Sequence, residues 1–362
     1  MEVQIEVNSR RPRVGKVDTL VRQTGGLAAW PVAPPVHFPG TTKLKEGIVR
    51  PITLALCIVA LGGISRGQVP VFEHVFIVVE ENQDFSCVIG NPAMKYLNAL
   101  ATDYGLATSY YANSHPSISN YFVLTTGQPI YKGIGGDRRT DPVDVDNVIR
   151  EVRKNNKTWR AYAEGVPRPG YTGGNISARN YVKRHNPLAY FEKDIPASDR
   201  SNLAPFAQFA TDLAQPGHFA NYSFLTPDLF DDAHDVRGSN GDNMGKARCG
   251  DSTALKKADD WLKDNIDPLV QSSVFKESGL LVIVFDESSD DDESDGAGHK
   301  GGGRVPMIVV SPKVKPGYRS VVLFHHESTL RLMLEALGLG PTNWPGGAKD
   351  APSMAEFFLS AH

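Results

Sequence analysis

The chain has 362 residues, 41% of them apolar and 22% charged. That is the mix of a folded globule, one large domain or two ordinary ones, and it excludes disordered, collagenous and coiled-coil chains. A net charge of −3 leaves no positive excess to hold a polyanion, so nucleic acid is not an expected partner.

The first feature in chain order is an uncharged run, Ile52 to Leu61 (ITLALCIVAL), preceded by Lys43, Lys45 and Arg50 and followed by small residues near Gly67. This is the layout of a secretory signal. It falls short of the roughly 20 apolar residues that span a bilayer, so no stable membrane insertion is expected. A buried core strand or helix is the other reading of the run. The stretch before it, with Pro31, Pro34, Pro35 and Pro39, is long for the head of a signal. We therefore expect residues 1–67 to be a leader, disordered or removed, and residues 68–362 to be one catalytic domain, secreted or periplasmic. Three cysteines are too few for a disulfide framework and lack CxxC spacing. Only Cys87 and Cys249 lie beyond the leader, in a compartment that permits a bond between them. Whether they come close enough is left open by the sequence.

Four short apolar runs then end abruptly in polar residues. His74–Val79 meets Glu80, Glu81 and Asn82; Asn221–Leu225 meets Thr226 and Asp228; Leu280–Phe285 meets Asp286 and Glu287; Val305–Val310 meets Ser311. Apolar strands without alternation predict a sheet buried on both faces, which usually means parallel strands covered by helices. Helical cover is predicted at Ala254–Leu269, with Leu255, Ala258, Leu262, Ile266 and Leu269 on one face, and at Ser328–Leu337, with Gly338 to close it. The expected fold is α/β, a mostly parallel central sheet with helices on both faces. Ligands in such sheets gather beyond the carboxyl ends of the strands.

Two of those strand ends carry Glu81-Asn82 and Asp286-Glu287. Together they offer three carboxylates and an amide oxygen, a costly concentration of like charge unless a cation joins it. One divalent ion would resolve the cost. Oxygen donors favour Mg, Ca or Mn, with Zn or Fe as further candidates. Taken singly, each pair also fits ordinary loop carboxylates that cap helices. A third element is Ser114–Gly127 (SHPSISNYFVLTTG), where Ser117 is expected at a helix start and Gly127 at its end. A serine there has free backbone N–H groups and the positive end of the helix dipole beside it, suited to receiving a phosphoryl group. Asn120 stands one turn further on. A plain capped helix is the alternative.

Eight segments in order carry a family resemblance: ENQDF (81–85), HPSISNY (115–121), TWRAYAEGVP (158–167), RHNPLAYF (184–191), PDLFDDAHD around Asp228, VIVFDE (282–287), RVPMIVVSP (304–312) and HESTLRLMLEALGL (326–339). The set resembles the phosphoesterase family of acid phosphatases and non-zinc bacterial phospholipases C, in the alkaline-phosphatase superfamily. That resemblance implies an alkaline-phosphatase-like fold. It implies Glu81, Asn82, Ser117, Asp286 and Glu287 as metal ligands, with Ser117 also the nucleophile. It implies His185 and His234 as catalytic histidines around the phosphate that assist the leaving group. Asn82, Asn120 and His115 are expected to contact substrate, although His115 could merely orient its loop. Family members often have proline where Ser119 stands. The acidic run Asp286–Asp295 and the glycines of Gly296–Gly303 are further departures, expected to form a flexible loop, a second cation site or a gate. His326 is expected to make a structural hydrogen bond at a helix start.

The function expected is a secreted, metal-dependent acid phosphatase acting on small phosphate monoesters through a phosphoserine. A phospholipase C cutting phosphodiester head groups is the nearest alternative, and a non-catalytic cation-binding surface protein is the alternative of another class. Loops rich in Asp, Gly and Ser, rather than apolar or aromatic residues, favour the phosphatase over the lipase. Nothing in the sequence bears on oligomeric state.

Overall fold

The computed structural model describes residues 67–130, 141–215, 218–237, 244–289 and 292–359. The signal-like run Ile52–Leu61 and nearly all of the expected leader lie outside the described residues. The described residues form ten strands: β1 (His74–Glu80), β2 (Gly105–Ala107), β3 (Trp159–Ala163), β4 (Leu203–Pro205), β5 (Tyr222–Thr226), β6 (Asp235–Arg237), β7 (Met244–Lys246), β8 (Gly279–Phe285), β9 (Met307–Val310) and β10 (Arg319–Ser320). Eight of them make one sheet in the order β10-β2-β9-β8-β1-β5-β3-β4, while β6 and β7 pair as a separate antiparallel hairpin.

All seven residues of β8 and all but His74 of β1 are buried. Since successive side chains of a strand point to opposite faces, the centre of the sheet is covered on both sides. β1 runs parallel to β5 and β8, and β3 runs parallel to β5 and β4. The sheet is mostly parallel, as expected, and the run ending at Val310 supplies its antiparallel member. β9 pairs antiparallel with both β8 and β2, because burial on both faces hides the strand equally well in either direction.

The helices are α1 (Phe85–Val88), α2 (Lys95–Asp103), α3 (Ser117–Thr126), α4 (Val148–Lys154), α5 (Ala207–Leu213), α6 (Ser252–Asn265), α7 (Asp267–Gln271), α8 (Ser273–Ser278) and α9 (His326–Ala336). They cover the sheet in groups, α3 against α9 and α2 against α6. The predicted helix Ala254–Leu269 is divided, because Pro268 cannot continue a helix and instead sits in the first turn of α7. Asp251 caps α6, its carboxylate accepting from the backbone N–H of Thr253 and Ala254. Among the described residues, no helix is long and apolar enough to cross a membrane.

α3 is buried along its whole length, as a helix between sheet and helix must be. Two of its polar residues are satisfied within the helix: Thr125 and Thr126 return their hydroxyls to the carbonyls of Tyr121 (2.8 Å) and Phe122 (2.7 Å). Gly127 ends it at φ 66°, a conformation glycine adopts without steric cost. Its carbonyl receives Gly347 N at 2.7 Å.

Candidate functional site

The pairing with β1 continues one residue past β8, since Asp286 N donates to O of Glu80, the last residue of β1, at 2.9 Å. That single bond sets Asp286-Glu287 beside Glu81-Asn82. Asn82 takes φ 52°, a left-handed turn that asparagine tolerates better than most residues. Its backbone N–H reaches Asp286 Oδ1 at 3.1 Å and its amide nitrogen reaches Glu287 Oε1 at 3.2 Å.

Ser117, the first residue of α3, is 4% exposed. Its hydroxyl lies 3.1 Å from Glu81 Oε2, 3.2 Å from Glu287 Oε1 and 3.5 Å from Asn82 Oδ1. The residues expected to bind metal are thus gathered around one seryl oxygen from chain segments up to 205 positions apart. Asp286 Oδ2 is buried with no hydrogen bond. Burial, and then the charges of Glu81 and Glu287, raise the proton affinity of Asp286 well above the ordinary carboxyl range. This is the signature of an acidic set that would gain from a cation, and all of its donors are oxygens. The three carboxylates are nevertheless spread around the hydroxyl. Among the described residues, the groups of three His, Cys, Asp or Glu ligand atoms within 4.8 Å of one another lie elsewhere, at Asp84–Cys87–Cys249 and Glu164–Asp228–Asp231. In the first of these the two sulfurs are joined in a disulfide, with Cα atoms 5.7 Å apart, so the bond the sequence left open is formed and no thiolate is offered.

Asn120 and His115 reach this group through Glu287. Asn120 donates to Glu287 Oε2 at 3.1 Å and to Ser114 O at 2.6 Å, and its own oxygen accepts from the backbone N–H of Asn113 and Ser114. His115 Nδ1 is 3.2 Å from Glu287 Oε2, and Nε2 is 3.2 Å from Asp292 O. Both side chains hold the turn that presents Ser117. Ser119 ties the same turn through its hydroxyl to Pro116 O at 3.0 Å and to Ser114 Oγ.

The two histidines differ. His185 is almost wholly buried, stacked on Tyr121 with ring centroids 5.2 Å apart. Its Nε2 meets Glu81 Oε1 at 2.8 Å and its Nδ1 faces Asp232 Oδ2 at 3.4 Å. Burial opposes charge on this ring, but Glu81 and Asp232 outweigh it and raise its pKa. For Glu81 burial likewise pushes upward, and the imidazolium of His185, with lesser help from His234 and Arg184, draws the carboxyl down to about 2. Asp232 is pushed up to about 6 by burial, with His185 opposing. His234 makes no hydrogen bond to the Ser117 group. Its Nδ1 pairs with Asp235 at 2.8 Å, and its backbone N–H donates to Asp232 Oδ1 at 3.0 Å. Its pKa is raised by Asp235, Glu81 and Asp232 against the effect of burial.

Asp232 and Gln83 are the participants that sequence reasoning missed. Both stood in the quoted segments, yet nothing in their spacing separated Asp232 from Asp231 or Gln83 from a variable neighbour. His326 behaves as expected: Nε2 meets Asp286 O at 2.6 Å and Nδ1 meets Tyr110 OH at 2.8 Å, and burial lowers its pKa to about 3. In the described residues 292–303 of the acidic and glycine-rich stretch, aspartates build turns. Asp292 accepts the backbone N–H of Ser294 and Arg304, and Asp295 those of Ala297 and His299. The folded loop walls a cavity of about 260 Å³ lined by Asn113, Ser114, His115, Glu293, Lys300 and Gly301.

Several known proteins are similar to this chain. A protein of Kluyveromyces lactis named probable acid phosphatase is 29% identical over 60% of this chain and 48% of its own length. The match therefore spans about half of that relative. A protein of Mycobacterium tuberculosis named phosphatidylinositol-3-phosphatase is 27% identical over 82% of this chain and 86% of its own. Among solved structures, an alkaline-phosphatase-superfamily protein of Vibrio parahaemolyticus matches the fold with a TM-score of 0.51 at 13% identity, over 75% of this chain and 68% of that one. The fold is that of this superfamily, as the sequence led us to expect. The phosphoesterase family model matches residues 91–340, well over half of the chain, and the chain belongs to that family.

Proposed function

We propose that the chain is a divalent-metal-dependent phosphomonoesterase that works through a phosphorylated Ser117. The observation that carries this reading is the position of Ser117 Oγ, at the start of a buried helix and within 3.5 Å of oxygens of Glu81, Asn82 and Glu287. Glu81, Asn82, Ser117, Asp286 and Glu287 would hold the ion, which supplies positive charge to the phosphoryl oxygens and eases loss of the seryl proton. Mg, Ca, Mn, Zn and Fe all remain candidates, the hard ions first. Ser117 attacks phosphorus and the ester bond breaks, with the positive end of the α3 dipole beside the transferring group. His234 gives a proton to the departing alkoxide, then takes one from the water that cleaves the phosphoserine, releasing phosphate and restoring the serine.

His185 takes a different part from the leaving-group role the resemblance gave it. With both ring nitrogens facing carboxylates, it fits best as the group that keeps Glu81 ionised and fixed in the interior. Asn120 and His115 are likewise better suited to presenting Ser117 than to touching substrate. The names of the relatives, all phosphatases, favour monoesters over the diesters of a phospholipase C and favour turnover over mere cation storage. The Cys87–Cys249 bond supports an oxidising compartment, in keeping with the signal-like run.

The test is to quench the enzyme in acid during turnover of a phosphate monoester and locate phosphate by peptide mass spectrometry. It is expected on Ser117 and absent from Ser117→Ala, which should keep its circular dichroism and lose turnover. Exhaustive chelation should stop hydrolysis and one divalent ion should restore it. Full activity of Ser117→Ala, or of the chelated enzyme, would overturn the reading.

A further inference from the structure

His234 lies on a segment that needs to be held, because it precedes the β6–β7 hairpin and follows Ala233, whose φ is 72°. A non-glycine residue at positive φ persists only where its surroundings over-determine it. One buried side chain grips both ends of this segment. Gln83 donates from Nε2 to Ala233 O at 3.0 Å, immediately before His234, and accepts Gly250 N at 2.8 Å in Oε1, where the chain leaves the hairpin. Gln83 follows Asn82 directly, and the Cys87–Cys249 bond joins the same two stretches of chain, four residues beyond Gln83 and next to Gly250. Within the loop, Ala247 N donates to His234 O at 2.6 Å, and Nδ1 of His234 is committed to Asp235. Nε2 is the ring nitrogen left for a substrate.

We infer that Gln83 is a positioning residue: its carboxamide locks the loop carrying His234 to the turn carrying Glu81 and Asn82, and so fixes where a proton can be delivered to the leaving group. The inference rests on the role given above to His234. A carboxamide suits the task because it donates on one side and accepts on the other, and burial excludes water from competing for either bond.

A positioning role has a readout that simple destabilisation lacks. An alkyl ester needs a proton on its leaving oxygen, whereas p-nitrophenolate leaves unaided. We therefore expect Gln83→Met, which keeps the volume and loses both bonds, to lower kcat/KM, which covers transfer to Ser117 and not the shared hydrolysis of the phosphoserine, about tenfold more on glycerol phosphate than on p-nitrophenyl phosphate. Gln83→Glu keeps an acceptor for Gly250 N, loses the donor to Ala233 O, and should fall between. Reducing the disulfide of the native enzyme with a thiol should move selectivity the same way without any substitution. His234→Ala sets the full selective loss. If it shows that loss while Gln83→Met slows both substrates equally or neither, Gln83 does not position His234 and the inference is wrong. If His234→Ala itself shows no preference between leaving groups, the role given to His234 fails and this inference fails with it.

Discussion

Asn120→Asp exchanges an amide nitrogen for an oxygen 3.1 Å from Glu287 Oε2. The contacts to the backbone N–H groups of Asn113 and Ser114, both at 3.2 Å, survive the change, while the donations to Glu287 and to Ser114 O are lost. Two unit charges 3.1 Å apart repel by about 5 kcal/mol at an effective dielectric of about 20. At 1.36 kcal/mol per unit, that is about 4 pK units. The folded variant therefore keeps a proton between the two carboxyls that the unfolded chain releases near pH 4. A raised acid pKa in the folded state contributes stability at low pH and loses it as pH climbs through the folded value. Relative to the parent, the variant should be nearly as stable at about pH 4.5, where the shared proton replaces the lost donor. It should be weaker by up to about 5 kcal/mol at about pH 8. The assay is denaturant unfolding of both proteins at several pH values with a chelator present, comparing the difference at each. Asn120→Ala is the control: it introduces no charge and should cost about 1–3 kcal/mol at every pH through unpaired donors. A flat difference between Asn120→Asp and the parent across pH would show that Asn120 does not face Glu287 as described.

Two further predictions concern parts of the fold that frame the site. Glu164 is pushed up to about 7 by burial, opposed by the backbone N–H of Asp228 and helped by the charges of Asp228 and Asp231, so its contribution is present at low pH and is lost as pH rises from the ordinary carboxyl range through 7. Glu164→Gln should thus unfold at a higher temperature than the parent at alkaline pH, by about 2 kcal/mol after allowance for its partial exposure, and show no gain in acid; an equal gain at both would refute the cause. Gly127→Ala forces φ 66° on a residue with a Cβ that would run into Pro345 O and Gly347 N. It should cost about 2 kcal/mol or more in thermal unfolding, and an unchanged melting temperature would mean the end of α3 is free to reshape.

The central strands were legible because burial on both faces leaves an unbroken apolar run, and β1, β5, β8 and β9 all stand where such runs were read. Direction was not legible, since the run that became β9 carries no mark of which way it points. The Ser117 helix could be read at both ends, from Pro116 at its start and from a glycine that its last turn requires. The turn chemistry of the acidic loop was not read from the sequence. Its aspartates were counted as charge, whereas Asp292 and Asp295 act as acceptors for four backbone N–H groups and build the turns themselves.

The site was legible in its acidic half and not in what balances it. Glu81, Asn82, Asp286 and Glu287 stand as adjacent pairs at strand ends, so strand position alone brings them together. The counter-charge has no such rule. His185 comes from a stretch of short 3-10 turns, and Asp232 from a run of three acidic residues interrupted by one leucine and one phenylalanine. Only the fold stacks that imidazole on Tyr121 and inserts it between two carboxylates. A buried carboxyl either keeps its proton, as burial favours for Glu80, or takes a cationic partner, as Glu81 does in His185, and adjacency in sequence does not say which. The same holds for Gln83: a buried loop must satisfy its backbone, and a single carboxamide does so for both ends of the His234 segment. Electrostatic demand can thus be read from sequence before the residue that meets it, and in this chain the residues that meet it are the ones whose substitution should separate holding from catalysis.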